Sequence, residues 1–425
     1  MQRYINPDRS VWPQITARAR KAQDGKVTQI VSDILSRVRT EGDKALVGLA
    51  KDIDGVDLDA IEVSAAEKAE AAALVPESLR NAIAEAAANI RKFHLAQLHE
   101  DVVCETAPGV KCYQKAVPIH RVGLYIPGGT APLFSTVLML AIPAKVAGCP
   151  EIVLCTPTDK QGKVNPAVLY AADFCGVDAV YKTGGAQAVA AMAYGTQTIA
   201  KVDKIFGPGN RFVMKAKQIV SQEDVSIDMP AGPSEVMVLA DSTADPAYVA
   251  ADLLSQAEHG ADSQVVLVSD TEELADKVLA QVEVQTETLG RKNMVYGALE
   301  ESRTVIFDKR SDMLAFAEAY APEHLILSVE DPWEAVEGIT CAGSVFIGNY
   351  SPESAGDYAS GTNHTLPTSG WARSCSGVNT ESFMRRMTIQ ELSQDGLAGL
   401  AQTIIEMAEA EGLQAHANAV RVRRN

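Results

Sequence analysis

A chain of 425 residues, 47% of them hydrophobic, exceeds one ordinary domain and can bury more than one core. Its formal net charge of −17 at pH 7 repels phosphate backbones and anionic lipid, which argues against nucleic acid or a membrane surface as partner. The N-terminal stretch has no apolar signal core, no window approaches the roughly 18 apolar residues of a membrane span, and the seven cysteines form no CxxC pair. A cytoplasmic protein without a disulfide framework or a cysteine-based zinc cluster is therefore expected.

In chain order, residues 14–50 and 64–99 carry Ala, Arg and Glu at helical spacing and predict helices. Strands are predicted at 151–155, 178–182, 202–206, 235–240, 264–269 and 303–307. Between them, 186–194, 210–221, 245–258 and 271–287 read as helices. Such alternation favours open, parallel-rich sheets covered by helices. Cys149, Cys155 and Cys175 sit inside these apolar patterns and read as small core residues. After a loop-rich stretch, 388–418 is helical again and predicts an extension outside the α/β body.

No dinucleotide fingerprint is present: the only Gly-x-Gly is Gly207-Pro208-Gly209, and position 212 is Phe. Three Gly-rich turns, YIPGGTAP (125–132), KTGGAQA (182–188) and FGPGN (206–210), nevertheless adjoin apolar runs. Glycine lets backbone N–H groups approach a phosphate or sugar. Taken singly, each is a plain βα turn by roughly four to one. Three together point to a ligand crevice at the strand ends.

Polar residues concentrate in SQAEHGADSQ (255–264), YAPEHL (320–325) and SPESAGDYASGTNH (351–364). Polar groups gathered at element ends are usually held for binding or chemistry. Gln256 and His259 are spaced i, i+3 near a helix end and can share one ion, although Gln is an uncommon zinc ligand and a helix-end His is as readily structural. The adjacent Glu323 and His324 suit separate acid and base tasks, or form an ordinary turn after Pro322. Asp357 and His364 lie in a segment too polar for a core, which favours function. On spacing alone, His416 is a packed or solvated helical residue, and His94, His99 and His120 carry no role.

These strings, with RVGLYIPGGTAPLFSTVLMLAIPAKVAGC (121–149), GGAQAVAAMAYGT (184–196), VDKIFGPGN (202–210), DMPAGPSEV (228–236) and EGLQAH (411–416), resemble the histidinol dehydrogenase family in family order over most of the chain. The resemblance implies one Zn2+ per subunit on Gln256, His259, Asp357 and His416. It places the base and the water-activating group on His324 and Glu323. It puts substrate contacts on Ser234, His364 and Glu411 beside the metal ligands and His324, and NAD contacts on Tyr125, Gln187 and Asn210.

The implied architecture is α/β: two incomplete Rossmann-like domains with parallel-rich sheets, plus helical N- and C-terminal extensions. Expected boundaries are an N-terminal helical segment at 1–22, a first domain of 23–126 with 234–377, a second, NAD-binding domain at 127–233, and an extension at 378–425. That extension would be exchanged in a homodimer with shared active sites, so that Glu411 and His416 serve the partner's site. The implied reaction is the four-electron oxidation of L-histidinol through histidinal to L-histidine with two NAD+. A paralogous zinc alcohol dehydrogenase acting on a sulfopropanediol is the alternative, which Glu411 disfavours because a carboxylate repels a sulfonate. A noncatalytic metal-binding scaffold would have no use for Glu323 and His324.

Overall fold

The computed structural model describes residues 1–18, 24–128 and 132–424. Positions 129–131 of the YIPGGTAP turn and the expected boundary at residues 22 and 23 lie outside them. Two parallel sheets form the body. One has six strands in the order Gln2–Ile5, Arg303–Ile306, Gln264–Ser269, Glu235–Ala240, His324–Ser328 and Ser344–Ile347. The other has five: Ala179–Lys182, Glu151–Thr156, Arg121–Tyr125, Lys204–Phe206 and Ser226–Ile227.

The central strands EVMVLA and QVVLVS are buried at every residue, because helices cover both faces of a parallel sheet. Their side chains alternate between two cores. Val236, Val238 and Ala240 pack on one side of the six-stranded sheet, Met237 and Leu239 on the other. The five-stranded sheet divides likewise, with Ile152 and Leu154 on one face and Val153 and Cys155 on the other.

The helix Asp24–Glu41 buries Val27, Val31, Leu35 and Val38 against the Ala-rich helix Gly185–Tyr194, whose small side chains allow close approach. Ile83, Ala86 and Ile90 of Glu77–Leu95 pack on the opposite face of the same five-stranded sheet, to which Arg121–Tyr125 also belongs. Helices Asp24–Glu41 and Glu77–Leu95 thus cover the two faces of the five-stranded sheet, to which Arg121–Tyr125 contributes a strand. The N-terminal segment is helical at Trp12–Ile15 but opens with the edge strand Gln2–Ile5. The pattern at 388–418 is not helical throughout: Met384–Leu392 is a strand, antiparallel to Val110–Pro118, which pairs in turn with Val102–Ala107. Helices Gln394–Ala410 and Gln414–Arg421 follow, packed on each other around Ala401, Ile405, Ala408, Ala417 and Val420. Among the described residues no helix is long and apolar enough to cross a membrane.

Candidate active site

Glu323 and His324 sit at the entrance of the strand His324–Ser328, after Ala321 turns the chain with a left-handed φ of 52°. Both side chains are buried, with His324 Nδ1 3.6 Å from Glu323 Oε2. The neighbouring strand begins at Glu235, whose backbone serves both. Its N–H donates to Glu323 Oε2 at 2.7 Å, and its carbonyl lies 3.1 Å from His324 Nδ1. Burial pushes the Glu323 carboxyl up. Burial also opposes a charged imidazole at His324, yet Glu323 and Asp357 overcome it and hold that ring well above its usual range.

Gln256 lies in the last turn of the helix Pro246–Ala257 and points inward, its Nε2 3.2 Å from His324 Nδ1. Asp357 on the short helix Glu353–Tyr358 approaches the other ring nitrogen, with Oδ1 3.5 Å from His324 Nε2. Its backbone carbonyl accepts from His364 Nδ1 at 2.9 Å, and His364 Nε2 meets Thr136 Oγ1 at 3.1 Å. His259 opens onto a cavity, with Nδ1 3.5 Å from Ser234 Oγ. Burial raises the Asp357 carboxyl, but the imidazoles of His324, His364 and His259 together hold it below its ordinary value. Loss of water pushes His259 and His364 down, with Asp357 opposing. Gln256, His259, Asp357, Ser234, His364 and the Glu323–His324 pair thus converge on one place.

Tyr125, Gln187 and Asn210 line a cavity of 860 Å³ that reaches His259. The Tyr125 hydroxyl accepts from Gly185 N at 3.2 Å, and burial pushes it up to about 12. Gln187 Nε2 faces Asp54 Oδ2 at 3.5 Å. Asn210 caps the helix Arg211–Val220, accepting from Phe212 and Val213 N–H. A second cavity of 460 Å³ runs from the Gly207-Pro208-Gly209 turn to Ser234, Glu323 and His364, and it shares Asn210 and His259 with the first. A ligand filling both would place one end against Glu323.

Glu411 and His416 are not brought to this place within the chain. Both are exposed on the C-terminal helical pair, and neither lines either cavity. Sequence reasoning missed Glu353, 1% exposed beside the site. Its Oε1 accepts from Ser255 Oγ at 2.7 Å, Oε2 has no hydrogen-bond partner, and burial pushes the carboxyl up to about 8. Its signal was the i, i+4 spacing to Asp357 on one helix face.

A profile described as histidinol dehydrogenase matches residues 17–424. The chain belongs to the histidinol dehydrogenase family. It is 53% identical to histidinol dehydrogenase of Bacteroides fragilis over 98% of this chain and 97% of the relative. Its identity to the Aliivibrio fischeri histidinol dehydrogenase is 51%, over 94% of this chain and 91% of that one. The crystal structure of histidinol dehydrogenase from Elizabethkingia anophelis superposes with a TM-score of 0.96 at 52% identity, covering 100% of this chain and 98% of the other. Both parallel sheets and their helices are therefore the architecture of a histidinol dehydrogenase, an oxidoreductase of histidine biosynthesis.

Proposed function

We propose that this chain oxidises L-histidinol to L-histidine through histidinal, using NAD+ twice and one zinc ion per subunit. The observation that carries the reading is the convergence of Gln256, His259 and Asp357 on the buried Glu323–His324 pair, with His259 lining both cavities and Glu323 lining the smaller one. Overall, one alcohol, one water and two NAD+ become one carboxylate, two NADH and three protons.

The residues fit a zinc ion. Gln256 Oε1 is buried without a hydrogen-bond partner, and it stands with an imidazole and a carboxylate, an N/O donor set that suits zinc. Among the described residues, no group of three or more His, Cys, Asp or Glu could hold a metal. A fourth donor, His416, would come from an exchanged C-terminal extension. When bound, zinc would supply a template for the amine and imidazole nitrogens of histidinol.

The chain's own residues supply the proton chemistry. His324 Nδ1 faces two acceptors, the Glu235 carbonyl and Glu323, against one donor, Gln256 Nε2. That balance keeps hydrogen on Nδ1, so Nε2 is the nitrogen that takes the hydroxyl proton of the substrate once the ring has given up its second proton. Glu323, fixed by the Glu235 N–H, polarises the water that attacks the aldehyde. Tyr125, Gln187 and Asn210 form the NAD wall, and NAD+ supplies the hydride acceptor. Of two Rossmann-like domains, the one built on the six-stranded sheet carries the catalytic pair and the one built on the five-stranded sheet carries most of the NAD wall.

Steady-state oxidation of histidinol and of sulfopropanediol with NAD+, alongside zinc analysis of the purified protein, tests the reading. Turnover of histidinol by a protein holding one zinc per subunit is expected. Preference for sulfopropanediol would overturn it.

A further inference from the structure

The peptide groups of Glu235 touch both members of the catalytic pair: its N–H donates to Glu323 Oε2 at 2.7 Å, and its carbonyl stands 3.1 Å from His324 Nδ1. Where residue 235 sits therefore decides where both side chains sit. Its own side chain is a carboxylate only 2% exposed, and a buried charge persists only when paired and hydrogen-bonded. Arg18 supplies the pairing from the N-terminal segment. Its Nε meets Oε1 at 2.9 Å and its Nη2 meets Oε2 at 2.9 Å, a two-pronged grip. The backbone N–H of Ser369 donates to Oε1 at 2.9 Å. The Arg18 guanidinium also lies 3.6 Å over the Tyr320 ring, and the Tyr320 hydroxyl donates to Gln264 Oε1 at 2.7 Å.

We infer that Arg18 and Glu235 are positioning residues for the oxidation. Their ion pair pins the start of the strand Glu235–Ala240, and through that backbone it holds the Glu323 carboxylate and the His324 ring in register. The inference rests on the assignment of Glu323 and His324 as the reacting pair. Neither Arg18 nor Glu235 lines the NAD cavity, so their effect belongs on turnover and not on NAD binding.

Lysine can keep one contact to the carboxylate but cannot make two parallel bonds or stack in the same way. Arg18→Met removes both. The test compares Arg18→Lys, Arg18→Met, Glu235→Gln and the Arg18→Met/Glu235→Gln double variant, each checked for folding by circular dichroism. A displacement of about 1 Å at a catalytic group can cost about 100-fold. The expected result is a kcat for histidinol lowered about 10- to 100-fold in Arg18→Met, an intermediate loss in Arg18→Lys, and a KM for NAD+ within about threefold of the parent. The double variant should be no worse than the poorer single variant, because the two residues act as one unit. If Glu235→Gln fails to fold, the two Arg18 variants still decide. A folded Arg18→Met with kcat within twofold of the parent overturns the inference, as does a loss confined to KM for NAD+. His324→Ala runs alongside: if it stays active, the underlying assignment has failed, whereas an inactive His324→Ala beside an unaffected Arg18→Met sinks the positioning role alone.

Discussion

Lys217 and Asp228 form a wholly buried ion pair that closes on both peptide groups of Gly207. Lys217 Nζ donates to the Gly207 carbonyl at 2.8 Å, and Asp228 Oδ2 accepts from its N–H at 2.8 Å. Gly207 needs this support. Its φ of +125° is open to glycine, and a Cβ there would stand 2.1 Å from the Tyr125 carbonyl. Breaking one side of such a pair typically costs about 3–5 kcal/mol. Lys217→Met should lower thermal stability and raise KM for NAD+ more than KM for histidinol, because the turn lines the cavity leading to Asn210. Calorimetry with steady-state kinetics checks both, and an unchanged KM for NAD+ would separate the pair from cofactor binding.

Replacing His324 with Ala should leave zinc content and folding close to the parent. Turnover should fall about 10²- to 10⁴-fold, the range of a positioned general base. A loss below tenfold would remove His324 from that role.

Glu323→Gln keeps an oxygen for the Glu235 N–H but weakens the polarisation of water. It should slow oxidation of supplied histidinal far more than single-turnover oxidation of histidinol to the aldehyde. Equal slowing of the two steps would contradict the division of labour.

His259→Ala and His416→Ala should each be nearly inactive, since a lost ligand leaves zinc weakly held. Unfolded and refolded together, they should regain roughly a quarter of parental activity, because a mixed dimer gathers both defects in one site and leaves the other intact. Formation of mixed dimers with no return of activity or zinc would place His416 in its own subunit's site.

How far the sequence led depends on what each element buries. EVMVLA and QVVLVS were legible as strands because both of their faces are covered and every residue is buried. Val102–Ala107 and Met384–Leu392 were not, because their residues are largely exposed and no apolar alternation marks them. The apolar stripe of Asp24–Glu41 announces that something covers it, but no periodicity says which sheet does so. At the site, polar strings at element ends located Gln256, Glu323, His324 and Asp357. Glu235 passed unnoticed because its contacts with Glu323 and His324 are made by backbone atoms, which carry no side-chain signature.

The three cysteines expected in the core, Cys149, Cys155 and Cys175, are all buried against the five-stranded sheet. Burial pushes the Cys149 thiol up to about 11 and Cys175 up to about 12, and it raises Cys155 further. The six-stranded sheet holds no buried cysteine among the described residues; its nearest thiol in sequence, Cys341, is half-buried. Alkylation of the three core thiols therefore waits on transient opening of one half of the molecule. Labelling rates followed by peptide mass analysis would time that opening separately from the half that carries Glu323 and His324. NAD+ analogues that brace the cavity at Tyr125 and Gln187 should slow the labelling.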